Sequence, residues 1–384
     1  MGVKIIKKSR GNYLVYGKGL GSLYAKKNLE LNFGNSGTLA RLLLGVLSST
    51  PNIELRVKGD HSLNKRNMKK LIFLMSKFGA TFLPKKKYKF PLKLISSEAP
   101  IGINYVADVS AQLKSAVIFA GLNSYGKTKI FESKKSRDHT ENMLKINKNT
   151  IKIKKGIVNL IEVYGKKDLK QLITKVPGDP SSAAFFTALT LLNENSSIKI
   201  INVCLNKTRI GFYNLLKKQG AKIKFKNLYM ENNEPRGDIL VESSNLKPIT
   251  ASKKYYVNST DEYPILFIIA ALTKGVSKFY GIAELANKES NRIKEMQKII
   301  AQVGVKSIST KNSIKIYGKG ILKTNKKKIL VKKLGDHRIC MSSFILAILT
   351  GTKMEIKNFE TVNTSSPSFL KIMRNLGASF EVQK

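Results

Sequence analysis

Six arginines stand apart in this sequence: Arg41, Arg66, Arg137, Arg209, Arg292 and Arg338. The chain otherwise prefers lysine. Only ten of its 69 basic residues are arginine, and against 25 acidic residues the net charge is +44. Enrichment in Lys, Asn and Ile together fits an AT-rich coding bias, and lysines spread over every segment read as solvated surface. An arginine kept against that bias has a task lysine cannot do. Its planar fork grips a carboxylate or phosphate through two parallel hydrogen bonds, whereas an ammonium is a point charge. All six arginines lie in motif-like stretches near polar turn residues, as do the three histidines, His61, His139 and His337. A core role is the ordinary reading of any single histidine. The chemistry suggested is the handling of anions, either phosphorylated metabolites or nucleic acid. No nucleic-acid motif or aromatic stacking platform accompanies the charge.

Two alternating elements would position these groups. The first is an amphipathic helix ending in Gly, then a small residue and a strand. It recurs at 71–82, 215–225, 296–308 and 372–382, with a degenerate copy lacking the Gly at 143–153. Glycine takes the left-handed conformation that stops such a helix. The second is a helix apolar nearly all round, hence buried, with a polar start. Its copies begin at Asn35-Ser36-Gly37-Thr38, Ser110-Ala111-Gln112, Asp179-Pro180-Ser181-Ser182, Asp261-Glu262-Tyr263-Pro264 and Asp336-His337-Arg338. Each would present free N–H groups and a positive dipole end. N-capping explains any one copy; five copies point to an anion site.

The repeat reads as strand, helix, strand, helix, then strands, three units to a domain. Met1-Gly2-Val3-Lys4-Ile5 resembles the tail of a further first-kind element, so a preceding segment with one buried and one amphipathic helix is expected. The domains are expected at 1–175, its N-terminal part missing, and 176–384, joined at the Pro/Gly turn of 175–180. A chain of 384 residues exceeds one ordinary core, and 42% apolar content excludes disorder. The longest apolar run, 264–272, is about half a bilayer span, and no signal peptide is visible. Two cysteines, Cys204 and Cys340, cannot by themselves build a disulfide framework or a zinc site. A soluble, reduced, cytoplasmic protein is expected. GKGLGS at 17–22 departs from the P-loop pattern and reads as a hairpin turn.

Eight stretches, in order, carry a family resemblance: FGNSGTLAR (33–41), GDHSLNKR (59–66), SAQLKSAVIFAGL (110–122), SRDHTENML (136–144), VPGDPSSAAF (176–185), DEYPIL (261–266), NKESNRI (287–293) and DHRICMS (336–342). They resemble the enolpyruvyl transferases, specifically 5-enolpyruvylshikimate-3-phosphate (EPSP) synthases of the bacterial class II that tends to tolerate glyphosate. The resemblance implies an α/β (α+β) fold of two pseudo-threefold domains built from βαβαββ units, an inside-out α/β barrel with the active site between the halves. It implies transfer of the enolpyruvyl group of phosphoenolpyruvate (PEP) to the 5-hydroxyl of shikimate 3-phosphate, releasing phosphate, in aromatic amino-acid biosynthesis. No cofactor, no metal, no membrane and no nucleic-acid partner are implied, and the enzyme is expected to be a cytoplasmic monomer.

By resemblance Asp261 is the base on the acceptor hydroxyl, Glu289 moves protons at the PEP methylene, and Lys288 contacts shikimate 3-phosphate beside the reacting centre. Ser110, Ala111, Gln112 and Arg137 match further shikimate 3-phosphate contacts. Gly37, Arg66, Gln112, Arg292 and Arg338 match the PEP site. Without the family, Lys288 to Arg292 would read as a wet helical surface. Asn67 stands where the family has Pro, and Asn291 where it has Asp, so modest damage is expected. Gly37 is Ala in some glyphosate-tolerant members, so tolerance is in doubt here. The family's N-terminal Lys-Ser…Arg motif has no counterpart, as if about 65 residues were absent. The isolated chain is therefore expected to be unstable and close to inactive. One alternative is the sister transferase acting on UDP-N-acetylglucosamine, whose catalytic loop carries a Cys; neither Cys204 nor Cys340 lies in such a loop. The other is a basic nucleic-acid-binding protein.

Overall fold

The computed structural model describes residues 1–320 and 328–383. The chain divides into two compact units, Met1–Thr174 and Lys175–Lys384. Unit 1 opens with an antiparallel hairpin of β1 (Lys4–Ser9) and β2 (Asn12–Tyr16), turning at Gly11, φ +81°. The turn is therefore at 10–11. The stretch 17–22 is a loop after the hairpin and not its turn.

Two βαβαββ repeats come next. The first runs β3 (Glu30–Asn32), α1 (Gly37–Ser48), β4 (Glu54–Lys58), a short α2 (His61–Lys65), α3 (Lys69–Lys77), β5 (Thr81–Leu83) and β6 (Leu92–Ile95). The second runs β7 (Asn104–Ala107), α4 (Ala111–Leu122), β8 (Lys127–Glu132), α5 (His139–Leu144), β9 (Ile151–Lys154) and β10 (Asn159–Tyr164). Their sheets, β3-β4-β6-β5 and β7-β8-β10-β9, share one connectivity: the first two strands are parallel and the rest antiparallel.

Unit 2 holds three repeats. One runs α6 (Pro180–Leu192), β11 (Ser197–Cys204), α7 (Gly211–Lys218), β12 (Lys222–Glu231) and β13 (Glu234–Glu242), with Gly178 making a single parallel bridge to Val203 in place of a first strand. The next runs β14 (Thr250–Ala251), α8 (Lys253–Ser259), α9 (Tyr263–Ala271), β15 (Gly275–Tyr280), α10 (Arg292–Gln302), β16 (Lys306–Ser309) and β17 (Ser313–Gly318). The last runs β18 (Ile329–Val331), α11 (His337–Thr350), β19 (Met354–Ile356) and α12 (Phe369–Asn375). Among the described residues no strand comes after α12, so the strand expected within 378–382 is not formed.

The two helix types fall where periodicity puts them. The amphipathic helices α3, α7, α10 and α12 stop at Gly79, Gly220, Gly304 and Gly377, all with φ between +80° and +98°, a region where a Cβ would be strained. The polar-headed helices α4, α6, α9 and α11 are buried along nearly their whole length. Every residue of α9 is buried, and Tyr263, Phe267 and Phe279 stack edge to face against one another. Each such large side chain contributes about 1.5–3 kcal/mol. Helix α1 departs from the expectation: Leu39 is exposed, and only one side of the helix is buried. That side meets α4 so closely that a Cβ on Gly45 would stand 2.5 Å from the Ala116 carbonyl oxygen.

Candidate active site

The tight α1–α4 contact in unit 1 brings two polar helix starts together. Ser36 Oγ caps α1 by accepting from Leu39 N, and Ser110 Oγ caps α4 by accepting from Leu113 N. Beside these caps, Gln112 Nε2 donates to Thr38 Oγ1 at 2.8 Å. Ser110, Ala111 and Gln112 are all half-buried, within reach of a ligand.

Gly37 begins α1. A Cβ there would lie 2.7 Å from Arg41 Nη1 and 3.0 Å from Arg66 Nη1. Glycine is what lets two guanidiniums approach the same point of the backbone. Arg41 Nη1 donates to the Gly37 carbonyl at 3.0 Å, and Arg66 Nη2 donates to Asn35 Oδ1 at 3.4 Å. Burial, then the neighbouring charge of Arg66, pushes the Arg41 pKa down. Two converging like charges in a half-buried place favour an anion between them. Arg66 caps the C-terminus of α2, a helix begun by Asp60, which accepts from Leu63 N at 2.8 Å. Asn67, in place of Pro, accepts at 2.8 Å from the N–H of Lys69, the first residue of α3.

Arg137 is half-buried in the loop between β8 and α5. That loop is anchored by Glu132 Oε1, which accepts from Ser136 N and Ser136 Oγ, both at 3.0 Å.

In unit 2 the site residues are held by carboxylates at helix starts. Asp179 caps α6, accepting from Ser181 N and Ser182 N, and also accepts from Arg209 Nη2 at 2.6 Å. Ser181 Oγ donates in a short hydrogen bond to Glu262 Oε1, and accepts from Arg209 Nη2 at 2.9 Å. Burial, then the charge of Asp261 beside it, raises the Glu262 pKa.

Asp336 caps α11 by accepting from Arg338 N at 3.0 Å. The same carboxylate accepts from Arg292 Nε at 2.9 Å, Arg292 Nη2 at 3.3 Å and Ser290 Oγ at 3.0 Å. Arg292 Nη2 also donates to Glu289 Oε2 at 2.8 Å, and Nη1 lies 3.8 Å from Asp261 Oδ1. Burial opposes the guanidinium's charge, but Asp336, Glu289 and Asp261 outweigh it and raise the Arg292 pKa. Asp336 is lowered: burial would raise it, and Arg292 overrides that. His337 is pushed down to about 4 by burial and by Arg338, so it is neutral near pH 7. Lys288 ends the 3-10 turn Ala283–Asn287, half-buried. Asn291 caps α10, accepting from Lys294 N at 3.1 Å, so it performs the capping task of an Asp.

The structure thus brings together Gly37 and Arg66 on one side of unit 1, and Ser110, Ala111 and Gln112 at the start of α4. In unit 2 it gathers Asp261, Glu289 and Arg292, with the backbone N–H of Arg338 joined through Asp336. Two buried donors stand out. Arg292 Nη1 and Arg338 Nη1 have no hydrogen-bond acceptor among the described residues. Buried arginine N–H groups are nearly always satisfied, so these two atoms are open to an acceptor such as a bound ligand or an ordered water. Sequence reasoning gave no individual role to the supporting groups Thr38, Asp179, Ser181, Glu262, Ser290 and Asp336. Asp179 and Asp336 carried a signal as helix starts; the second task of each, pairing with an arginine, did not.

A family model for EPSP synthase (3-phosphoshikimate 1-carboxyvinyltransferase) matches residues 1–373. A 3-phosphoshikimate 1-carboxyvinyltransferase of Zymomonas mobilis is 37% identical over 100% of this chain and 85% of its own length. One from Bacillus subtilis is 36% identical over 98% of this chain and 86% of its own. A solved EPSP synthase from Acinetobacter baumannii has a TM-score of 0.84 at 33% identity, over 100% of this chain and 86% of that one. An enolpyruvyl transferase from Streptomyces tendae, 13% identical, shares the fold with a TM-score of 0.69.

Proposed function

The chain belongs to the EPSP synthase family, and on that premise we propose that it transfers the enolpyruvyl group of PEP to the 5-hydroxyl of shikimate 3-phosphate. The observation that carries the reading is the pair of buried, acceptor-less Nη1 groups on Arg292 and Arg338. Arg292 also lies 2.8 Å from Glu289 and 3.8 Å from Asp261. An anion bound on Arg292 is therefore beside the two carboxylates that proton transfer requires.

In this reading Arg66, Arg292 and Arg338 grip the phosphate and carboxylate of PEP, with Gly37 leaving room and Gln112 reaching it. Ser110, Ala111, Gln112, Arg137 and Lys288 hold shikimate 3-phosphate. Asp261 takes the proton of the 5-hydroxyl as its oxygen bonds to C2 of PEP. Glu289 gives a proton to the methylene carbon, making a methyl group. In the second step Glu289 takes a methyl proton back, the double bond reforms, and phosphate leaves with the proton stored on Asp261. Atoms balance, and the two carboxylates return to their starting states.

The buried thiols favour this reaction over transfer to a UDP-sugar. Burial pushes Cys204 up to about 11 and Cys340 up to about 12. Both stay protonated at neutral pH and are unsuited to acid–base or nucleophilic work. The reading has the enzyme acting as a monomer in the cytoplasm; among the described residues no helix is long and apolar enough to cross a membrane. A 31P NMR time course with both substrates tests it. PEP and shikimate 3-phosphate should disappear one for one as phosphate and EPSP appear. Release of phosphate from PEP without the shikimate compound would refute the reaction.

A further inference from the structure

Lys114 is the one charged residue of α4, and it has no exposed surface. Its ammonium lies 2.7 Å from Glu132 Oε1 and 2.6 Å from Glu141 Oε1, carboxylates that are 3% and 2% exposed. A buried lysine with two buried glutamates leaves one negative charge over, and Glu141 Oε2 has no hydrogen-bond partner among the described residues. Burial raises the Glu141 pKa against the pull of Lys114. A core built only for stability would fill this place with apolar side chains, which are often as good or better. The cluster therefore calls for another reason.

Its connections supply one. Lys114 is two residues beyond Gln112, on the helix whose start carries Ser110, Ala111 and Gln112. Glu132 ends β8 and accepts from Ser136 N and Oγ, next to Arg137. Glu141 lies in the first turn of α5, four residues beyond Arg137. A second tie, Ser115 Oγ to Thr140 Oγ1 at 2.7 Å, runs beside the first. The loop bearing Arg137 is thus clamped at both ends to the helix whose start carries Ser110, Ala111 and Gln112.

We propose that Lys114, with Glu132 and Glu141, is a positioning cluster that fixes the Arg137 loop relative to the start of α4 and so sets the affinity for shikimate 3-phosphate. This rests on the function proposed above. The cluster does not touch substrate. It fixes the distance between the fork of Arg137 and the polar groups of Ser110 and Gln112, and misplacing either end weakens their joint grip.

The test is shikimate 3-phosphate binding by calorimetry, with KM values for both substrates, on the parent chain, Glu141→Gln and Lys114→Met. Glu141→Gln keeps the Lys114–Glu132 pair and removes the surplus buried charge, so it should fold with an unfolding midpoint at or above the parent's. It exchanges an ion pair for a hydrogen bond from the Lys114 ammonium to a neutral amide, so shikimate 3-phosphate affinity should fall about three- to tenfold while the PEP KM stays within about twofold. Lys114→Met strands two carboxylates, and should lower both the midpoint and the affinity further. If both variants bind shikimate 3-phosphate as the parent does, or if both substrates weaken together in step with the midpoint, the positioning role is wrong and the functional reading stands. A parent that binds no shikimate 3-phosphate overturns both.

Discussion

Replacing Asp336 by Asn separates the two tasks this carboxylate performs. The side chain is fully buried and accepts four hydrogen bonds, two at each oxygen. Asn keeps the shape but turns one acceptor into a donor. Whichever way the amide lies, its NH2 meets an N–H of Arg292 that cannot reverse. At Oδ2 it faces Arg292 Nε and Ser290 Oγ; at Oδ1 it faces Arg292 Nη2 and Arg338 N. Breaking a buried pair by removing one charge costs about 3–5 kcal/mol. At roughly 2–4 °C per kcal/mol for a body of this size, the unfolding midpoint should drop by about 6–20 °C. The Arg292 guanidinium loses its anchor, and the backbone N–H of Arg338 loses part of its cap. One charge-assisted hydrogen bond of positioning, about 1.5–3 kcal/mol, corresponds to a rise of about 10- to 150-fold in the PEP KM. The assay is initial phosphate release against PEP concentration at saturating shikimate 3-phosphate, run beside thermal melts. The pH dependence has a definite sign. The folded pKa of Asp336 is lowered, so its stabilisation is present above the unfolded value of about 3.9 and is lost as pH falls through the folded value. Parent and Asp336→Asn melts should therefore converge in strong acid. A variant with its PEP KM within twofold of the parent and an unchanged midpoint at pH 7 would mean that Asp336 anchors neither arginine.

Glu262 behaves in the opposite sense: its folded pKa is raised, so its contribution is present below about 4.3 and lost as pH rises through the folded value. With Oε2 buried and lacking a hydrogen-bond partner among the described residues, Glu262→Gln should gain about 1–3 kcal/mol of stability at pH 7.5 and none at pH 4; equal gains at both pH values would count against a buried charge. Gly37→Ala should raise the PEP KM about tenfold or more with little change in midpoint, because the new methyl meets the mobile ends of Arg41 and Arg66; an unaltered KM would remove Gly37 from the PEP site. Replacing Cys204 and Cys340 together by Ala should keep kcat/KM within about twofold, since both thiols are buried and protonated; abolished turnover in a folded variant would reopen the sister reaction.

Local chemistry was legible in the sequence wherever one turn of chain decides the outcome. The four glycines that stop α3, α7, α10 and α12 were readable, because only Gly enters the left-handed region cheaply. The capping residues Ser36, Ser110, Asp179 and Asp336 were readable because a cap, too, is set within one turn of the helix. What escaped was pairing across the chain. Lys114 meets carboxylates 18 and 27 positions away, and Arg292 meets one 44 positions away; no periodicity encodes those distances. The one trace of this pairing in the sequence is that Lys114 is the single charged residue of α4. The strand expected after Gly377 failed because a glycine stop specifies the helix end and gives the residues beyond it no partner strand. The apolar letters of α1 predict a buried helix, yet Leu39 is 47% exposed. Composition says that a side chain prefers cover, not what covers it.

Acceptor choice decides the reaction, and it can be measured as phosphate release from PEP at micromolar enzyme, so that slow turnover registers. Release should exceed the enzyme-free rate with shikimate 3-phosphate, should not occur with UDP-N-acetylglucosamine, and should be lost when Arg292 is replaced by Met. Release driven by the UDP-sugar, or release with shikimate 3-phosphate that survives loss of Arg292, would contradict the function proposed for this chain.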